Sequence, residues 1–100
     1  MIKKVFVNGE EIGRLNYFIQ HRDNSIFLSL FRLNPQFRNK GYFKYLFAEI
    51  VSIAKKNNIH IIYLSVGGED NISDDYIFAL YQRYGFVGDK RRMMLDIRNL

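Results

Sequence analysis

The chain has no cysteine among its 100 residues. That excludes thiol nucleophiles, thiolate zinc clusters and disulfide staples together. Its two histidines, His21 and His60, stand far apart, so no metal site is expected. No apolar run approaches the roughly 20 residues needed to span a bilayer, and the N-terminal "MIKKVFVNGEE" lacks the long apolar segment of a signal peptide. The expectation is a soluble, cytoplasmic protein with no membrane partner. Linkers, internal repeats and low-complexity tracts are also missing, so residues 1–100 read as a single domain.

Apolar residues make up 48% of the chain and aromatics 16%, which allows a core of sheet and helix without staples. The formal net charge of +5 points to an anionic ligand, to nucleic acid, or only to solubility, and does not choose among them.

"KKVFVNGEEIGRLNYFIQ" sets Asn8-Gly9 between two strand-like runs, a strong hairpin signal. After the turn cluster "HRDNS", the run "IFLSLFRL" reads as a third strand. Phe43, Leu46, Phe47, Ile50 and Ala54 then recur at helical spacing, and the helix ends at "KKNN", where two lysines suit the negative end of the dipole. "IHIIYLSV" reads as a strand buried on both faces. Ser73 before two aspartates reads as a helix N-cap, Ile77, Leu80, Tyr81 and Tyr84 share a helical face, and Gly85 ends that helix. "RRMMLDI" reads as a last strand. The predicted order is β-β-β-α-β-α-β, an α/β layer structure.

The connection between the third strand and the first helix is "LNPQFRNKGYFKYL". A strand that passes through a short loop into a helix aims unpaired N–H groups outward, with the positive end of the helix dipole behind them. Such a place binds phosphate or another anion. Arg38, Lys40 and Lys44 add positive charge, and Gly41 allows either close approach of a ligand or a backbone conformation closed to other residues. Neither the P-loop spacing nor the dinucleotide G-x-G-x-x-G is present.

Taken with the strand "IIYLSV" and with "IFALYQRYGF", this stretch resembles the GNAT superfamily of acetyl-coenzyme A dependent N-acetyltransferases over residues 26–97. Arg38, Asn39, Lys40 and Gly41 match the first four positions of the family's Arg/Gln-x-x-Gly-x-Gly/Ala pyrophosphate loop, and Tyr81, Gly85 and Phe86 match its Tyr-x-x-x-Gly-Phe signature. The resemblance implies a mixed central sheet with flanking helices and a cleft between two splayed parallel strands that holds acetyl-coenzyme A as cosubstrate. It implies pyrophosphate on the N–H groups of Arg38, Asn39, Lys40, Gly41, Tyr42, Phe43 and Lys44, and pantetheine along the backbone of Phe31, Arg32 and Leu33.

The resemblance also implies Tyr81 as the general acid that protonates the departing thiolate. The chain departs from the family pattern in three ways. Phe43 stands where a small residue is usual, with its ring expected to turn inward beside Leu46 and Phe47. Asp74 stands where many members carry an asparagine near the pantetheine arm. The usual N-terminal helix pair is missing, as in the compact acetyltransferases of phages.

Glu69 in the "GGEDN" loop is the candidate general base. The expected activity moves an acetyl group from acetyl-coenzyme A to an amine, with a protein or peptide favoured as acceptor because the groove lacks its lid helices. A homodimer could rebuild the missing wall. A catalytically silent coenzyme A-binding or protein-interaction module of the same fold is the alternative. Nucleic-acid binding through the run Lys90, Arg91, Arg92 is disfavoured against a solvated loop.

Overall fold

The computed structural model describes residues 1–67 and 72–100. Asn8 and Gly9 take φ of +53° and +82°, the left-handed pair that a two-residue hairpin needs, and they join β1 (Ile2–Val7) to β2 (Glu10–Gln20). A 3-10 turn at His21–Asp23, closed by left-handed Asn24, returns the chain into β3 (Ser25–Leu33). Helix α1 (Phe43–Lys56) then crosses over to β4 (Ile61–Leu64), which pairs parallel with β3. Helix α2 (Asp74–Arg83) leads to a final hairpin, β5 (Val87–Asp89) and β6 (Arg92–Asp96). The sheet runs β1-β2-β3-β4-β6-β5, antiparallel except at β3–β4.

The fold class is the mixed α/β sheet expected, with one strand more. Residues 87–89 fold back on β6 because Gly88 lets the two backbones close up; a Cβ there would stand 2.3 Å from the Arg92 carbonyl oxygen. The Asp89 carboxylate closes the turn by accepting the N–H groups of Arg91 (2.9 Å) and Arg92 (3.2 Å). β4 is shorter than the run "IHIIYLSV", since the Ile59 N–H goes to Ala54 and that of His60 to the Asn24 carbonyl.

Both helices lie on one face of the sheet. The buried stripe of α1, Phe43, Leu46, Ile50, Ile53 and Ala54, meets Ile26, Leu28, Phe31 and Leu33 of β3. Phe43 stands edge-on to Phe31 at 4.8 Å and to Tyr84 at 5.0 Å, and Phe47 contacts Tyr84 at 4.8 Å, so the aromatic rings knit α1, α2 and β3 together. Burying each such side chain is worth roughly 1.5–3 kcal/mol.

β3 contains the irregularity that makes the site. Its pairing with β2 runs Leu30↔Asn16 and then Leu28↔Tyr17, which leaves Ser29 as an extra, bulged residue. Pairing with β4 stops at the same point, Leu28↔Leu64. A bulge bends and twists its strand, so residues 29–33 stay on β2 and diverge from β4. Among the described residues, that edge of β3 has no strand partner beyond Leu28.

Candidate functional site

The wedge opens toward the loop between β3 and α1. Asn39 and Gly41 have φ of +59° and +83°, and Tyr42 returns to helical dihedrals. Alternation of left- and right-handed residues turns successive N–H groups to one side, the geometry of an anion-binding nest. The N–H groups of residues 39–44 find no acceptor among the described residues. α1 has no side-chain cap and no acid in its first turn, so among the described residues neither device offsets this end of its dipole. A Cβ on Gly41 would meet nothing within 4 Å; the need for glycine there is its positive φ.

A cleft of about 660 Å³ runs from this loop along α2, within the range of small-molecule sites. Its lining is mostly aromatic and aliphatic, and the charged residues on it, Arg38 and Arg83, are both cationic. The Arg38 Nε donates to the Leu33 carbonyl at 3.2 Å, fixing the guanidinium at the end of β3. Across the mouth, the Tyr76 hydroxyl donates to Asn39 Oδ1 at 2.8 Å. A second, small space of about 50 Å³ fills the wedge between β3 and β4, and Phe31 and Tyr81 line both. Tyr81 is 3% exposed, with its ring stacked on Phe31 at 5.8 Å.

Phe31, Leu33, Arg38, Asn39, Gly41, Tyr42, Phe43 and Tyr81 thus come together on the cleft. Phe43 is buried with its ring turned inward, against Phe31, Tyr81 and Tyr84. Arg32 lines the small space in the wedge instead. Lys40 and Lys44 are exposed and off the lining, and the Lys44 ammonium stands 5.3 Å over the Tyr45 ring. Asp74 is exposed in the first turn of α2, near Gly67, and also off the lining. Glu69 lies outside the described residues. Unanticipated on the cleft are Tyr76 and Arg83, two turns apart on one face of α2, together with Ile72.

α2 begins differently from α1. Ser73 accepts the Tyr76 N–H at 3.1 Å, and Asp74 and Asp75 occupy the first turn. Lys90 pairs with Asp75; the hydrogen bond holds the Asp75 carboxyl below the usual carboxylate range and raises the Lys90 ammonium. Among the described residues, no three His, Cys, Asp or Glu side chains gather to hold a metal, and no helix is long and apolar enough to cross a membrane.

A family model described as the acetyltransferase (GNAT) family matches residues 2–86. No curated protein matches the chain in sequence. Among solved structures, Tetrahymena GCN5 superposes with a TM-score of 0.75 at 13% identity, covering 96% of this chain and 67% of its own. The PaiA N-acetyltransferase of Thermoplasma acidophilum, in complex with coenzyme A, gives 0.73 at 24% identity, covering 96% of this chain and 60% of its own. A GNAT family acetyltransferase of Elizabethkingia anophelis with acetyl-CoA bound gives 0.74 at 14% identity, with 95% and 74% covered. At these identities the likeness is one of fold.

Proposed function

We propose that this chain, which belongs to the GNAT acetyltransferase family, binds acetyl-coenzyme A in the cleft and transfers its acetyl group to an amine. The observation that carries this reading is the run of N–H groups at residues 39–44, left without acceptors at the uncapped start of α1, where it opens onto an apolar, cationic cleft. A diphosphate satisfies those donors and the dipole together. Arg38 and Arg83 add the charge that a diphosphate needs. The free edge of β3 at Phe31, Arg32 and Leu33 offers main-chain groups to the pantetheine amides. Solved relatives bound to coenzyme A and to acetyl-CoA support the same ligand.

In this reading the amine attacks the thioester carbonyl, the carbon–sulfur bond breaks, and Tyr81 gives its phenolic proton to the leaving sulfur. A phenol is protonated at neutral pH in its ordinary state, so it can donate without special tuning. Glu69 is our candidate to take the proton from the amine. The position of Tyr81 where cleft and wedge meet supports its role. Its burial favours a second reading, a catalytically silent coenzyme A-binding module in which the ring only packs. Calorimetric titration with acetyl-coenzyme A is the first test, and saturable binding at one site is expected. Thiol release in the presence of an amine then separates enzyme from silent module, and absence of binding sinks both.

A further inference from the structure

Four asparagines hold a positive φ: Asn8, Asn24, Asn39 and Asn58. A left-handed conformation is unfavourable for any residue with a Cβ, and asparagine escapes that only in part. Each therefore needs something to hold it. For three of them the local chain suffices. Asn8 lies in the two-residue hairpin between β1 and β2. The Asn24 N–H donates to the His21 carbonyl and its own carbonyl accepts from His60 and Ile61, while the Asn58 N–H donates to the Lys55 carbonyl. The side chains of these three make no hydrogen bond with a described residue.

Asn39 is the exception. Its N–H has no acceptor among the described residues. What holds it is its side chain, whose Oδ1 accepts the Tyr76 hydroxyl at 2.8 Å from an element 37 positions along the chain. Tyr76 is a firm post for such a tie. Ser73 Oγ caps its N–H at 3.1 Å, and its neighbour Ile77 is buried in the core and gives its own N–H to the Ser73 carbonyl. The Tyr76 ring is 44% exposed, so water alone would satisfy its hydroxyl. Instead it spans the mouth of the cleft to the loop that opens α1.

A nest gathers N–H groups only while its left-handed residues stay left-handed, since a peptide that turns over carries its N–H away. Gly41 takes its positive φ without steric cost. Asn39 does not, and the shape of the nest depends on it. We propose that Tyr76 is a positioning residue for the diphosphate of the coenzyme: through Asn39 it holds the loop of residues 38–42 in its anion-binding conformation before the ligand arrives, without touching the phosphates itself. Ordering the loop in advance raises affinity because the ligand no longer has to order it on binding. The proposal rests on the coenzyme reading for the identity of the ligand, whereas the tie acts on any diphosphate. A direct contact from Tyr76 to the ligand would respond differently once Asn39 is replaced.

The experiment is calorimetric titration of the unaltered protein, Tyr76→Phe, Asn39→Gly and the double variant, each shown folded by circular dichroism, with acetyl-coenzyme A and separately with inorganic pyrophosphate. Tyr76→Phe removes the hydroxyl alone and should weaken both ligands roughly threefold to tenfold. Glycine at position 39 takes a positive φ with no side chain to tie, so in that background Tyr76→Phe should have no further effect, a coupling that the double-mutant cycle reads directly. Equal or tighter binding by Tyr76→Phe overturns the proposal. So does a loss that persists in the Asn39→Gly background, which would make Tyr76 a direct ligand contact. If the unaltered protein binds pyrophosphate but not acetyl-coenzyme A, the acetyltransferase reading falls and the pyrophosphate cycle decides on the tie. If acetyl-coenzyme A alone binds, its own cycle decides, and if neither binds, both the reading and the tie fall.

Discussion

α1 and α2 each follow a strand of the parallel pair, yet their N-termini are finished in opposite ways. α2 satisfies itself: Ser73 caps the Tyr76 N–H and two aspartates offset the dipole. α1 has neither cap nor acid, and a lysine sits in its first turn. The four leading N–H groups of a helix need partners. One junction supplies a side-chain cap from within the chain, whereas the other has none and, in our proposal, takes its partner from a ligand. On the proposed function, the pattern of basic, glycine-bearing loop against Ser-Asp-Asp is a functional contrast written at two equivalent places in the fold.

The contrast can be broken from either side. The largest effect should come from the far end of the self-sufficient helix, to which our proposal gives chemistry rather than anion binding. Tyr81→Phe should lower turnover about a hundredfold to ten-thousandfold while acetyl-coenzyme A affinity holds. Unaltered turnover, with the chemical step shown to be rate-limiting, would assign the ring to packing alone. On the open junction, Gly41→Val forces a β-branched residue to a φ of +83°. At about 1–3 kcal/mol of strain, the exposed loop should give up the backbone that meets the phosphates, so that coenzyme affinity falls roughly tenfold to a hundredfold in calorimetry, while any strain that the folded state keeps shows as a lowered thermal midpoint.

Lys44→Glu gives α1 what α2 already has. Each charge near a helix end is worth about 0.3–1 kcal/mol, so the helix should gain slightly in stability and coenzyme affinity should fall about fivefold. A gain in both would end the contrast. Ser73→Ala removes the cap of α2 and should cost about 1 kcal/mol in urea denaturation.

The smallest effect belongs to Asp75. Its carboxyl is held below the usual range by Lys90, so the pair's stabilisation is fully present above the unfolded carboxylate value near 4 and is lost as pH falls through the depressed folded one. Thermal midpoints of the wild type and Asp75→Asn should differ slightly at neutral pH and converge in acid. The exposure of both partners keeps the difference small.

Much of this was legible in the sequence, and the exceptions have physical reasons. Asn8-Gly9 announces its turn because few other pairs tolerate two positive φ values. The Phe43 stripe and the Ser73 cap follow from spacing alone. The bulge at Ser29 is silent, since serine is an ordinary strand residue and only the register reveals that it is extra. β5 escaped because three exposed residues carry no alternation. Tyr76 and Arg83 sit on the α2 face beside the buried Ile77 and Tyr81, and periodicity identifies an apolar face without telling whether a neighbouring face looks into a cleft. The signal for them was their spacing of seven residues along a helix, two turns apart on one side.

The bulge also sets the parity of β3. Leu28 and Phe31 both face the helices although they stand three positions apart, which an uninterrupted strand cannot do. Every side chain from Leu30 to the end of the strand owes its inward or outward direction to that one uneven step. Substitutions along the strand would alter single contacts, but deleting Ser29 would remove the bend itself: Leu30 to Leu33 would keep their faces on a regular strand, and β3 would no longer turn away from β4. Length, more than composition, is therefore the property of this strand least open to change.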